Sequence, residues 1–133
     1  MKTKYDLELK TDYSVDQALL DNNFKIVVLD FFSNFNVFQI NHKLLFFGWN
    51  KRNLINVRIF IIDSSKLREF NLIHEIKNSP TLIFFFNNRK IYIDSGSGDT
   101  NKIVKFSSTF KKFKNLCSLL IKNCEKGKNY LIT

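Results

Sequence analysis

The chain has 133 residues and a formal net charge of +9, and 44% of its residues are apolar. This size allows one domain with a real core, and the apolar content excludes an intrinsically disordered chain. No apolar run approaches the roughly 18 residues that span a bilayer, and the start Met1–Asp6 is charged. We therefore expect a protein of the cytosol or nucleus, with no membrane partner.

The positive charge is concentrated near the carboxyl terminus. Residues 100–133 contain eight lysines and one acidic residue, Glu125, for a net charge of +7. We expect a single domain over residues 1–133 with a short basic tail from about residue 126. Such a surface suits an acidic protein or a nucleic-acid backbone, and the alternative is an ordinary solvated lysine-rich face.

The first half of the chain predicts two strands and two helices. Asp12–Ser14 can cap a short helix that runs to Leu20, since Ser and Asp side chains accept hydrogen bonds from the first helical turn. Lys25–Asp30 is a compact apolar run with β-branched residues, which predicts a buried strand. The aromatic-rich stretch from about Phe38 to Trp49 favours a helix, and Val57–Asp63 predicts a second buried strand.

The following segment predicts a helix and then a hairpin. Lys66–Ile76 has the pattern of a short helix. Thr81–Phe86 and Arg89–Asp94 are β-prone runs separated by Asn87–Asn88. Asn tolerates positive φ, so this two-residue connection predicts a tight turn between antiparallel strands.

A final amphipathic helix is predicted from apolar residues spaced three and four apart. These are Phe110, Phe113, Cys117, Leu120 and Cys124. We expect both cysteines on the buried face, too far apart along the helix, at about 10.5 Å, to form a disulfide. The opposite face presents Lys111, Lys112, Lys114, Lys122 and Lys126.

The element order, (β)αβαβαββα, is that of a thioredoxin-like α/β fold with a mixed sheet of about four strands between helices. In thioredoxins the first central strand leads to two cysteines two residues apart, activated at a helix amino terminus. Here Val28–Phe32 is followed at those positions by Asn36, Val37, Phe38 and Gln39. None of these side chains forms a thiolate, so we expect no redox catalysis.

Ser79-Pro80-Thr81 matches the loop where thioredoxins hold a cis proline opposite the active site. We expect a cis Ser79–Pro80 bond and a loop able to present backbone groups to an extended peptide. The alternative is a proline that only ends a helix and starts a strand.

No metal, cofactor or other catalytic site is predicted. His42 and His74 lack cysteines or paired acids at ligand spacing, which disfavours zinc. Ser95–Asp99 is glycine-rich but lacks the Lys-Ser/Thr of a phosphate-binding loop, so a turn is expected. Asp30 and Asp94 stand at the ends of predicted strands, and nothing pairs them as acid and base.

Several stretches together resemble the Dim-type thioredoxin-like proteins of the U5 small nuclear ribonucleoprotein. The resemblance runs from about Val15 to Thr133, and the most specific segments are Val15–Leu20 and Thr81–Phe86. Further matching segments are Ile59–Asp63, Phe70–Asn71, Ile91–Asp94, Gly96–Gly98, Asn101–Ile103 and Lys126–Gly127. The chain departs from the family pattern at Phe35–Val37, at Gln39 and at Pro80.

The resemblance implies a non-enzymatic, cofactor-free subunit of the U5 particle and the U4/U6.U5 tri-snRNP, acting in pre-mRNA splicing in the nucleus. It implies spliceosomal protein partners, above all the large U5 scaffold protein, with snRNA or pre-mRNA nearby. The alternatives are a peptide-binding or chaperone-like thioredoxin-fold module outside the spliceosome, and an enzyme that uses the fold in another way. Candidate protein-binding residues are Asn36, Val37, Phe38, Gln39, Pro80, Thr81, Lys122, Lys126 and Lys128.

Overall fold

A computed structural model of the chain describes residues 8–32, 56–63, 67, 81–94, 103–104 and 110–132. Within these residues the chain forms two helices, α1 (Asp12–Asp21) and α2 (Phe110–Glu125). The strands are β1 (Glu8–Leu9), β2 (Ile26–Phe32), β3 (Val57–Asp63), β4 (Thr81–Phe86), β5 (Arg89–Lys90), β6 (Tyr92–Asp94), β7 (Ile103–Val104) and β8 (Tyr130–Ile132). The helices predicted at 38–49 and 66–76 lie outside the described residues, apart from Leu67, which is buried.

The main sheet is mixed, as the sequence predicts. Its strand order is β1-β3-β2-β4-β5, and β7 pairs with the first residues of β4. β2 runs parallel to β3, with Val28 beside Ile59, and antiparallel to β4, with Leu29 beside Ile83. The α/β class is confirmed, and the short strands β1 and β7 widen the sheet beyond the predicted four.

Both faces of the sheet are buried. The core between the sheet and α2 contains Phe84 and Phe113, whose ring centroids are 6.4 Å apart. The core on the α1 face contains Val15, Leu29 and Phe31. Because side chains from both faces of each central strand are removed from water, the strands have continuous apolar runs instead of an alternating pattern.

The amphipathic character predicted for α2 is confirmed. Its side chains Phe113, Cys117, Leu120 and Cys124 are buried against the sheet. The helix ends at Glu125 and is followed by a turn at Gly127, where φ is +80° and the Gly127 and Lys128 amides donate to the carbonyls of Cys124 and Asn123. These two hydrogen bonds satisfy carbonyl groups at the end of the helix. The left-handed conformation of residue 127 favours glycine.

The amino-terminal cap of α1 is Thr11, one residue before the segment predicted to cap it. The Ser14 amide donates to Oγ1 of Thr11, and the Thr11 amide donates to Oγ of Ser14. Ser14 is therefore the third residue of the helix and the second half of a capping box. A Ser at this position replaces the more usual Glu or Gln, so the box is easily missed in the sequence.

The predicted hairpin forms, but its second strand divides at Ile91. Asn87 and Asn88 both have positive φ, as predicted for the turn. β5 pairs with β4 and the Ile91 amide still donates to the Phe84 carbonyl, whereas β6 pairs in parallel with β8. β8 lies in the segment predicted to be a tail, and a three-residue strand is too short to leave a clear periodic signal.

Candidate functional site

The end of the sheet where thioredoxins hold their active site is formed here by the last residues of β2 and β3 and the first residues of β4. Phe31 lies beside Thr81 in the pairing of β2 with β4. Asn36–Gln39 follow β2 in the sequence and Pro80 precedes β4, and all of them lie outside the described residues. We call this end of the sheet the loop edge.

Two polar residues predicted near the loop edge are buried. The Thr81 side chain has no exposed surface, so it does not present itself to a partner. Asp30 is also fully buried and lies inside β2, not at the strand end predicted from the sequence, because the strand continues to Phe32. Asp94 is exposed at the end of β6, so the two carboxylates lie in different environments.

The two cysteines of the chain are buried on α2, as predicted, and both are free thiols. Burial raises the pKa of Cys124 to about 11 and raises the pKa of Cys117 as well. The thiolate is the nucleophilic form of cysteine, and burial disfavours it at neutral pH. Neither thiol is therefore prepared for disulfide exchange.

The basic face of α2 and the residues after it are exposed. Lys122, Lys126 and Lys128 are all solvent-facing, as are Lys112 and Lys114 at the start of the helix. The sequence predicted this face from helical periodicity. The structure thus places three of the predicted binding residues on one accessible stretch, and the candidates Asn36–Gln39 and Pro80 lie outside the described residues.

A groove that the sequence did not suggest lies beside α1. It encloses about 510 Å³ between that helix, β1 and β3, with Tyr13, Lys25, Arg58 and Phe60 in its lining. The Arg58 guanidinium carbon lies 5.9 Å from the centroid of the Phe60 ring, a cation–π distance. A lone arginine at the second position of an apolar strand is the one sequence signal that could have indicated this groove.

Among the described residues, no cluster of three or more His, Cys, Asp or Glu side chains could hold a metal ion. The two histidines, His42 and His74, lie outside the described residues. Neither of the described helices is both long and apolar enough to cross a membrane.

Comparison with known proteins places the similarity along nearly the whole chain. The model of the family described as "Mitosis protein DIM1" matches residues 7–133. "Mitosis protein dim1" of Schizosaccharomyces pombe is 24% identical over 125 residues, which cover 94% of this chain and 88% of that protein. "Spliceosomal protein DIB1" of Saccharomyces cerevisiae is 23% identical over 128 residues, covering 95% of this chain and 88% of the relative.

Solved thioredoxin structures show the same fold. A mutant thioredoxin from Halobacterium salinarum superposes with a TM-score of 0.69 at 14% identity, over 90% of this chain and 95% of its own. Reduced thioredoxin from Schistosoma mansoni gives a TM-score of 0.65 at 22% identity, over 84% and 94% of the two chains. The thioredoxin-like fold predicted from the element order is therefore confirmed.

Proposed function

This chain belongs to the family described as mitosis protein DIM1, and we propose that it is a non-catalytic subunit of the U5 snRNP and tri-snRNP in pre-mRNA splicing. The observation that carries the proposal is the family match over residues 7–133, together with relatives named spliceosomal proteins that align over most of their length. Its place of action is then the nucleus, and its role is to bind other spliceosomal proteins.

The chemistry of the thiols supports a binding role over catalysis. Both cysteines in the sequence are accounted for on α2, where burial raises the pKa of each thiol. The positions after β2 that hold the cysteine pair in thioredoxins carry Asn36 and Gln39. The chain therefore has the thioredoxin-like fold but lacks the pair of reactive cysteines that performs disulfide exchange in thioredoxins.

Two surfaces are the proposed contacts for protein partners, among them the large U5 scaffold protein. One is the loop edge, with Asn36–Gln39 and Pro80. The other is the basic stretch of Lys122, Lys126 and Lys128, whose exposed charges suit acidic side chains or phosphates and accelerate association at low salt.

The experiment is a tagged pull-down from cells of the source organism, with U5 snRNA measured in the bound fraction. Co-purification of U5 snRNA is expected for the wild-type chain. Recovery of proteins without any small nuclear RNA would contradict the proposal and favour a peptide-binding module outside the spliceosome.

A charge-reversal variant locates the contact. Changing Lys122, Lys126 and Lys128 together to Glu should reduce recovery of U5 snRNA, while the melting temperature stays close to wild type, since surface substitutions shift stability by about 0.5 kcal/mol or less each. The matched control changes the same three residues to Arg, which keeps the charge. Equal recovery by the Glu and Arg variants would assign partner binding to the loop edge.

A further inference from the structure

The groove beside α1, which we call the α1 groove, lies on the face of the sheet opposite α2. Three of its lining residues, Leu9, Ala18 and Phe60, belong to the core that packs under α1. The buried residues of α2 belong to the core on the other face of the sheet. The α1 groove is therefore separate from the basic stretch at the end of α2.

Strand pairing brings two cations to this groove. Arg58 is two residues from Phe60 along β3, so both side chains leave the same side of the strand. Val27, the register partner of Arg58 on β2, is buried in the core under α1. Lys25 lies two residues before Val27 and also lines the groove, as the same alternation requires.

The Arg58 guanidinium lacks an acceptor that the described residues could supply. Its Nε is buried and has no hydrogen-bond partner in the described part of the chain. The guanidinium carbon lies over the Phe60 ring, 5.9 Å from the centroid. This contact restrains the guanidinium, while its other N–H groups remain able to form two parallel hydrogen bonds with a carboxylate. Because a donor without an acceptor costs stability, a ligand that supplies the acceptor gains affinity.

The charges in the lining suit a ligand with one negative charge. Two cations, Arg58 and Lys25, and one carboxylate, Asp21, give the lining a net charge of +1. Both cations are half-buried, whereas Asp21 is exposed, and its Oδ1 accepts a hydrogen bond from Nε2 of Gln17 at 3.1 Å. Half-buried charges are screened less by solvent and salt, so the positive charge dominates the groove. A single carboxylate matches this charge better than a phosphate dianion does.

The size and the aromatic groups of the groove suit a peptide. Its volume of about 510 Å³ lies within the roughly 300–1,000 Å³ of typical ligand sites. Tyr13 is 74% exposed in the lining, so its ring is available to pack against an apolar side chain. Tyrosine and arginine are among the residue types that most often dominate the binding energy of protein interfaces.

We propose that the α1 groove binds a short peptide segment of a partner protein through an acidic side chain. The carboxylate of that side chain pairs with Arg58, and Lys25 adds positive charge. A neighbouring apolar side chain packs against Tyr13 and Leu9. The groove is thus a third contact surface, which goes beyond the two surfaces of the proposed function and depends on neither of them.

The test begins with a phage-displayed library of random short peptides and purified protein. The selection is run on wild type and on the variant with Lys122, Lys126 and Lys128 changed to Glu, so that peptides retained by both do not need the basic stretch. These peptides should contain Asp or Glu next to an apolar residue. The most enriched peptide is then labelled, and fluorescence anisotropy measures its Kd. Replacing its acidic residue by the corresponding amide should raise Kd at least about tenfold.

Variants of the lining test each charge separately. Arg58→Gln should raise Kd at least about tenfold, and Arg58→Lys should restore only part of the affinity because lysine lacks the planar fork. Lys25→Gln should raise Kd about threefold, whereas Asp21→Asn should lower it about twofold. Arg89→Gln is the matched control, since Arg89 is exposed and lines a different cavity, beside the hairpin turn.

Thermal melts separate binding from a structural role of Arg58. Arg58→Leu removes the donor that lacks an acceptor, so it should abolish peptide binding while melting no lower than wild type. A clear fall in the melting temperature of this variant would show that Arg58 serves the fold and would overturn the proposal.

Two further results overturn the proposal. One is a selection in which no enriched peptide depends on Arg58. The other is displacement of the bound peptide by millimolar inorganic phosphate at constant ionic strength, which would assign the groove to phosphate. Because these assays use purified protein, their failure leaves the U5 pull-down unaffected, and a failed pull-down leaves the peptide measurements valid.

Discussion

The loop edge and the basic stretch of Lys122, Lys126 and Lys128 carry different chemistry. The loop edge is where thioredoxins place reactive thiols, and here the sequence positions that follow β2 hold Asn36 and Gln39. The three lysines are exposed at the end of α2 and just after it. The comparison shows that one fold can lack the cysteine pair at one place and carry a concentrated positive charge at another.

The largest expected effect comes from truncating a core side chain between α2 and the sheet. Phe113 has no exposed surface and packs near the Phe84 ring. Phe113→Ala should lower the free energy of unfolding by about 3–5 kcal/mol, because it removes buried apolar surface and leaves a cavity. Urea denaturation measures this, with Leu119→Ala, which truncates a 47%-exposed side chain on the same helix, as a control. A loss below about 1 kcal/mol for Phe113→Ala would contradict the packing.

The next prediction concerns how fast the two buried cysteines of α2 react with a thiol reagent. The raised pKa of Cys124, about 11 against an ordinary 9.0, leaves about a hundredfold less thiolate at pH 8 than in the unfolded chain. Labelling of native protein with a thiol reagent should be slower by at least that factor and should accelerate about tenfold per pH unit up to pH 11. Ser118→Cys, at an exposed position of α2, should label at an ordinary rate.

The same pKa shift makes stability depend on alkaline pH. The folded state favours the protonated thiol, so this contribution is fully present below pH 9 and is lost as pH rises through about 11. Unfolding midpoints measured across this window should fall less steeply for Cys124→Ala than for wild type. Identical pH profiles would show that Cys124 is not buried in the folded protein.

A smaller effect concerns the turn that carries the chain from α2 to Lys128. Gly127 has a φ of +80°, and a Cβ added there would meet no atom within 4 Å. Gly127→Ala should therefore cost about 1 kcal/mol through left-handed backbone strain alone. Gly127→Asn should cost less, since Asn tolerates this conformation. Equal stability of wild type and the Ala variant would mean that the turn relaxes.

The smallest effect is expected at Phe24, whose φ is +63° and whose side chain is 76% exposed. Phe24→Asn places a residue that tolerates positive φ at this strained position, so the protein should become more stable by about 0.5 kcal/mol. Calorimetry of the two proteins measures the difference. A destabilised Phe24→Asn variant would indicate that the Phe24 ring contributes to the fold.

The local patterns in the sequence were sufficient for the main elements of the fold. The apolar runs at 25–30 and 57–63 predicted β2 and β3, and the three-four spacing from Phe113 to Cys124 predicted the buried face of α2. The Asn87–Asn88 turn followed from the backbone preference of one residue type. Each of these signals extends over a few neighbouring residues, so it can be read without knowing what lies across the sheet.

The signals failed where a single residue or a distant partner decides the structure. The sequence predicted that Asp12–Ser14 cap α1, whereas the structure shows that Thr11 is the cap. Thr11, Asp12 and Ser14 all have side chains that can cap a helix, so the sequence alone does not decide between them. The strand Arg89–Asp94 divided at Ile91, because β6 pairs with a strand nearly forty residues later in the chain. The sequence placed Asp30 at the end of its strand, but β2 continues to Phe32 and Asp30 is fully buried.

The sequence by itself determined that the cysteine pair of thioredoxins is absent, because the two cysteines of the chain are Cys117 and Cys124 and neither occupies positions 36–39. It also determined the basic face of α2, because helical periodicity separates its lysines from its apolar residues. Only the tertiary structure brought Tyr92 beside Tyr130 and placed Arg89 and Lys128 on one cavity. Those residues are far apart in the chain, and their proximity depends on strand pairing and on the turn at Gly127, which no local pattern specifies.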